Sequence, residues 1–499
     1  LNLTEQADLA LASDPQFGAS TVIEAKNIAR YRLGLAVLAG RRVPDAAPLF
    51  KQLAEMDDAG LRPMMYDPVL RNAFEDDVAA LENGVAEPGA LAHYLALGLD
   101  VSADGQGPCE RLTTPAVRLS PGQGIAWVWT ELRPSSPAEQ AVADRLEELF
   151  AGSFADARDA GRVVPDEGML AALHRGRALL ADLLPNAAAG IFPHISLVGF
   201  ARGEMADGPF NSLAGGDPLP SAVLMTPERL GDPWMTAEIL LHEGLHLKLF
   251  DVLRTCSLVR DPDQLVPIPW RITSWTLTRV LFALHVYVHM VLFRAAATDA
   301  SAELRGRYGE PPATEVVDAP TEGSEAAETG DFLTSLQRAR YLGQQAAETH
   351  RERLTAEGRR FVDWLLAALD TLTPRPESAS EPTVAAGTEE PGDAADAALL
   401  EPARHPMADE PVPAVSGYRK AEPVSVCPIP EHRQLLAFSP DPPRFRWLNE
   451  HAWFIYALCD GGDIDSIRSR YRATTGDVTD ERLETGLAAL VSAGLIVPA

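Results

Sequence analysis

Cysteine is nearly absent. Cys109, Cys256, Cys427 and Cys459 stand far apart and form no Cys-x-x-Cys pair. That excludes a disulfide framework and argues against a zinc ribbon; four reduced thiols of a cytoplasmic protein are expected. Basic charge is also short, with 43 Lys and Arg against 71 Asp and Glu and a formal net charge of −28. A general nucleic-acid binder needs a basic face to displace counterions, so nucleic acid is not an expected partner. The acidity serves solubility, or favours a basic peptide. Long apolar runs are missing too. The longest, Val280 to Phe293, contains two histidines and falls short of the ~20 residues that span a bilayer, so a buried core helix is expected. The stretch Leu1 to Ala12 mixes Glu5 and Asp8 into its apolar residues without a basic region before them. A secretory signal is therefore not expected, and neither is a membrane partner.

At 499 residues the chain exceeds one ordinary core, while 46% hydrophobic content is enough to build a large one. Residues 1–372 read as a mainly α catalytic domain with a few short strands. Ala138 to Ala151, Asp166 to Leu184, Thr236 to Arg254, Ser274 to Ala297 and Phe332 to Leu372 show helical spacing. Ile191 to Val198 and Ser221 to Met225 read as strands. A Pro- and Glu-rich stretch at about 308–330 reads as a flexible loop. Residues 373–423 carry nine prolines and many acidic side chains, and are expected to form a disordered tether that leaves the next unit free to move. Residues 424–499 read as a small α+β winged helix. Two β-like runs, Gln434 to Phe438 and Arg444 to Leu448, precede three helices opened by Asn449, Asp463 and Asp480.

The chemistry points to His242-Glu243-Gly244-Leu245-His246. Two histidines four residues apart on a helix face the same way and can share one metal ion, while the intervening Glu reaches a bound water. A third ligand decides the reaction. No Glu lies between Glu243 and Glu303, so the thermolysin layout fails. Leu249 and Val252 occupy the metzincin Gly and His positions, so that layout fails as well. Asp251 follows His246 too closely to share its face easily. The remaining donors are His285 and His289, one turn apart in an apolar run where imidazole needs a partner. Three histidines leave coordination positions open for zinc with water or for ferrous iron with an oxidant. Between the two helices, Pro267-Ile268-Pro269-Trp270-Arg271 and, further on, Arg279 offer guanidinium groups that could clamp a carboxylate.

Ser221 to Phe293 resembles the HEXXH-motif peptide-modification proteins of ribosomally made, post-translationally modified peptides (RiPPs). The resemblance rests on Ala222-Val223-Leu224-Met225, Leu241 to His246, Pro269-Trp270-Arg271 and Leu284-His285. It implies an Fe(II)- and 2-oxoglutarate-dependent peptide β-hydroxylase, with iron on His242, His246 and His285 and the cosubstrate carboxylate on Arg271 or Arg279. Glu243 would then handle protons beside the metal. Trp447 to Ala452 and Leu490 to Ile496 resemble the PqqD-like RiPP recognition element. That resemblance implies that residues 424–499 bind the leader of a ribosomal precursor peptide as an added β-strand. The alternative reading is a zinc metallopeptidase that processes a precursor, with Glu243 as general base.

Overall fold

The computed structural model describes residues 1–40, 46–85, 89–100, 105–119, 125–205, 208–216, 218–313, 320–321, 323–373, 416–422, 424–475 and 480–499. The chain is mainly helical with small sheets, as its spacing predicts. The helices that matter below are α1 (Leu3–Ser13), α2 (Ser20–Ala39), α3 (Pro68–Glu82), α4 (Glu167–Leu183), α5 (Pro233–Leu253), α6 (Leu277–Thr298), α7 (Ser335–Gln344) and α8 (Ala356–Leu372).

A six-stranded sheet organises the first domain. Its strands are β1 (Trp127–Val128), β2 (Arg158–Val163), β3 (Leu197–Met205), β4 (Gly208–Pro209), β5 (Ser212–Gly215) and β6 (Ala222–Met225). The order is β1-β3-β6-β5, with β2 and β4 also pairing with β3. β3 and β6 run parallel, and β5 closes the edge antiparallel to β6. Successive side chains leave a strand on opposite faces. Val198, Phe200, Val223 and Met225 enter the core built around α4, α5 and α6. Leu197, Ala201, Ala222 and Leu224 enter the other core, with α2 and α3. A strand covered on both faces can be apolar throughout, which explains the unbroken Ala222 to Met225 run.

Helix α5 starts where the Asp232 side chain accepts from the Trp234 backbone N–H, with Pro233 at its first position. Thr276 caps α6 in the same way. Two glycines let α5 approach its neighbours. A β-carbon at Gly176 would sit 2.4 Å from Thr236, and one at Gly244 would sit 2.8 Å from Ile191. Gly244 within the motif therefore serves packing at the back of α5. Helix α6 is apolar enough to cross a membrane by length and composition, but 72% of that stretch is buried inside the protein. It is the core helix that the sequence predicts.

Three expectations are corrected. Ile191 to His194 is not strand: a helix, Pro185–Ile191, runs into a 3-10 turn, Phe192–His194, and β3 begins only at Leu197. The 308–330 stretch is not a structureless loop. Ser324 caps a short helix, Glu325–Thr329, which Gly330 ends in the left-handed conformation. Backbone bonds from Thr321 to Trp270 and from Ala326 to Pro269 dock it on the Trp270 loop, and Ala326 is fully buried. Residues 314–319 and 322 of that stretch lie outside the described residues.

The tether also ends earlier than expected. Residues 374–415 lie outside the described residues, but Gly417–Lys420 already forms a strand, β7, paired with Ile496–Pro498. The C-terminal unit adds an antiparallel sheet of β8 (Ser425–Ile429), β9 (Gln434–Pro440) and β10 (Pro443–Leu448), then helices Glu450–Leu458, Ile464–Thr475 and Asp480–Ser492. Leu435 and Ala437 of β9 face this unit's own core, while Leu436 and Phe438 face the first domain. There Phe445 lies against Arg30, and its backbone N–H donates to Glu82 of α3 at 3.3 Å. The unit is docked on α2 and α3 rather than free. The sign of this in the sequence is that Leu435-Leu436-Ala437-Phe438 is apolar on both faces, which a sheet with one wet face does not need.

Candidate metal centre

Helix α5 sets His242 and His246 one turn apart, with ring centroids 5.0 Å from each other. Ligand atoms of His242, Glu243 and His246 all lie within 4.8 Å of one another. Donors at ~2.0–2.1 Å from one ion stand at most ~4 Å apart, so small side-chain rotations complete the bite. Burial, reinforced by His242 nearby, lowers the pKa of His246 to about 3. The ring is thus held neutral, the form that binds metal. Glu243 is buried, and its Oε1 accepts from the Ser212 hydroxyl at 2.6 Å. Ser212 opens β5, so the edge of the sheet fixes the motif carboxylate.

A cavity of about 140 Å³ opens beside this cluster. Its walls include His242 and Glu238 of α5, Tyr287 of α6, Ser335 and Arg338 of α7, and Arg229. Glu238 lies one turn before His242 and pairs with Arg294 at 2.5 Å. Helical spacing alone could have flagged Glu238. Ser212, Ser335 and Arg338 come from distant parts of the chain and had no local signal.

His285 is not brought into the cluster. Its ring lies against Phe361 and Trp364 of α8, at 5.6 and 5.9 Å between centroids, and 4.8 Å from His289. Neither His285 ring nitrogen makes a hydrogen bond of normal geometry. The His289 Nδ1–H donates to the His285 carbonyl at 2.8 Å. Burial holds both rings neutral, with His289 lowered to about 3 and His285 pushed well below its ordinary value. Burial likewise lowers Lys248, the nearby cation, to about 7. On α6, Phe282 packs on the His246 ring at 5.7 Å, His285 faces the Leu245 backbone of α5, and Tyr287 and Met290 face the cavity. Because α6 is apolar nearly all round, its sequence does not reveal which face meets α5.

The two candidate arginines also lie outside the cavity lining. Arg279 stacks on Trp275 at 4.6 Å, and Arg271 donates to the Thr321 hydroxyl at 3.5 Å. The rigid loop instead supports a different guanidinium: Arg338 lies 5.1 Å over the fully buried Trp270.

Asp251 points away from the motif. It accepts from Arg71, from His194 Nδ1 at 2.7 Å and from the Tyr66 hydroxyl at 3.2 Å. Burial opposes its charge, but Arg71 and His194 hold it below the ordinary carboxylate range. Ser20, His194 and Asp251 have the outline of a hydrolase triad, with His194 Nε2 3.0 Å from Ser20 Oγ. All three are buried, however, and the Ser20 hydroxyl donates to the Gly190 carbonyl at 2.6 Å. They tie α2 to the back of α5 and offer no exposed nucleophile. No protein-family model matches the chain, and no curated protein matches it either.

Proposed function

We propose that the chain is a metal-dependent enzyme that modifies a ribosomal precursor peptide, using Fe(II) and 2-oxoglutarate to hydroxylate a side-chain carbon. The observation that carries this reading is a cavity that joins His242 of the His-Glu-His cluster to a buried guanidinium, Arg338. Two imidazoles with coordination positions left open can hold ferrous iron or zinc, with the Glu243 carboxylate beside the ion rather than on it. Bound iron would supply the dioxygen chemistry, and 2-oxoglutarate the further electrons. The chain's own residues bind and orient. His242 and His246 present their ring nitrogens on one face of α5, and Ser212 holds Glu243 in place to take or return a proton.

Edge strand β5 suits an extended peptide. The Asn211 carbonyl accepts from the Thr226 N–H on the β6 side, so by alternation the backbone groups of Ser212 and Ala214 face the open edge. A peptide added there would pass beside Glu243. The C-terminal unit, with its two three-stranded sheets and three helices, is proposed to hold the leader by strand addition to β10.

A zinc peptidase with Glu243 as general base uses the same donors, and the motif carboxylate beside an open edge strand favours it as the second reading. Full-length protein supplied with Fe(II), O2 and 2-oxoglutarate should form succinate in step with peptide oxidation, a gain of one oxygen by mass. Peptide cleavage by the zinc-loaded protein, with no succinate from the iron-loaded one, would establish the peptidase instead.

A further inference from the structure

The geometry points to Arg338 as the group that clamps the carboxylate of a small organic acid in the cavity beside His242, with Ser335 and Tyr287 completing the polar wall. Arg338 is 1% exposed, yet it lines the cavity. Its plane is fixed from several sides. The Nε–H donates to the Phe332 carbonyl at 2.9 Å, and an Nη1–H donates to the Tyr287 hydroxyl at 3.1 Å. The indole of Trp270 lies beneath it, and Trp270 packs in turn on Phe332 and Tyr341. A planar guanidinium held this way is pre-organised for a carboxylate, because little side-chain freedom is lost on binding.

A second lining residue carries the same preference. Arg229 lines the cavity and is itself steadied by Asn211 at 2.9 Å. Among the described lining residues the carboxylate is Glu238, which is paired with Arg294. Arg338 and Arg229 thus both place guanidinium donors on the cavity wall, the chemistry that meets a carboxylate. The volume limits its size. A hole of ~150 Å³ admits benzene, so about 140 Å³ admits a small acid or the carboxylate end of a peptide, not a folded partner. His242 shares the lining, so a ligand gripped by Arg338 lies next to the metal site. The identification of the acid as 2-oxoglutarate rests on the proposed oxygenase reading; the clamp itself does not.

The test is calorimetric titration of the full chain, with and without Fe(II) under argon. The probes are 2-oxoglutarate, glutarate, and one peptide with a free or an amidated C-terminus. Wild type should bind 2-oxoglutarate, more tightly with iron. Arg338→Lys should weaken it by at least about tenfold and Ser335→Ala by about two- to fivefold, whereas Arg271→Ala and Arg279→Ala should stay within about twofold. Circular dichroism checks folding. If Arg338→Lys fails to fold, Ser335→Ala and Arg229→Met carry the comparison. Arg338-dependent binding of glutarate or of the free peptide carboxylate, with no gain for 2-oxoglutarate from iron, keeps the clamp and removes the oxygenase reading. Equal affinity in wild type, Arg338→Lys and Ser335→Ala overturns the clamp. So does loss in Arg271→Ala alone, or no carboxylate binding at all.

Discussion

Helices α5 and α6 carry the same local pattern and end in different chemistry. Each is long and apolar, and each holds two histidines four residues apart. The α5 pair meets a carboxylate held by an edge strand, and His242 lines a cavity with polar groups in its wall. The α6 pair meets Phe361 and Trp364, its own backbone and, from His285, the Leu245 backbone of α5. Spacing makes a metal bite possible, but what the neighbouring elements present decides whether it can be used. The Glu within the α5 motif is the difference visible in the sequence; the aromatic wall of α8 is the difference only the fold supplies.

The comparison can be broken from the back of α5 first. Asp251→Asn leaves Arg71 buried against a neutral partner and should cost about 3–5 kcal/mol of stability, read from denaturant unfolding. Metal content should not change, because Asp251 faces away from the motif. The pH dependence has a definite sign. Asp251 is held below its ordinary value, so its contribution is fully present above about pH 4 and is lost as pH falls through its lower folded value. Loss of metal in Asp251→Asn under conditions where the fold persists would mean that the two faces of α5 are not independent.

A smaller effect sharpens the α6 side. His285→Leu removes a buried imidazole whose nitrogens lack normal hydrogen bonds, and should raise stability by about 1–2 kcal/mol. In the fold His289 stays neutral to about pH 3, and His285 is also held well below its ordinary value. Unfolded histidines protonate near 6.5, so the unfolded state takes up protons first and stability falls as pH drops below about 6.5. That fall should be shallower in His285→Leu. A strongly destabilised variant would show that the ring has a partner worth keeping.

Ser212→Ala should leave metal content unchanged and slow turnover by up to about tenfold, because one hydrogen bond to Glu243 is worth about 1 kcal/mol. Turnover equal to wild type would separate Glu243 orientation from the chemistry. The smallest effect concerns the docked C-terminal unit. A leader strand added to β10 competes with Glu82 for the Phe445 N–H. Glu82→Ala should therefore tighten leader binding by about two- to threefold, measured by fluorescence anisotropy. Weaker binding would place the leader elsewhere.

The motif helix, its neighbour α6 and the helices of the C-terminal unit were legible because periodicity and capping residues are local. Asn449 caps its helix in the folded chain as its side chain suggests, whereas α6 begins after Thr276 rather than at Ser274. The face presented by α6 was not legible, since a helix buried on nearly all sides carries no amphipathic stripe to orient it. Arg338 was missed for a related reason. Its placement comes from Trp270, Phe332 and Tyr287 converging from three separate segments, whereas Arg271, expected at the site from its rigid loop, turns toward Thr321. The docking of the C-terminal unit was written in the two-sided apolarity of Leu435 to Phe438, a pattern that states that a second surface exists without naming it.

The most direct measurement is the number of iron equivalents bound by anaerobically reconstituted full-length protein, compared across wild type, His242→Ala, His246→Ala, His285→Leu and His289→Leu. The account predicts about one equivalent in wild type and in both α6 variants, and essentially none in either α5 variant, with all five folded by circular dichroism. Iron retained in His242→Ala, or lost in His285→Leu as completely as in His246→Ala, would contradict the assignment of the metal site to α5 without α6.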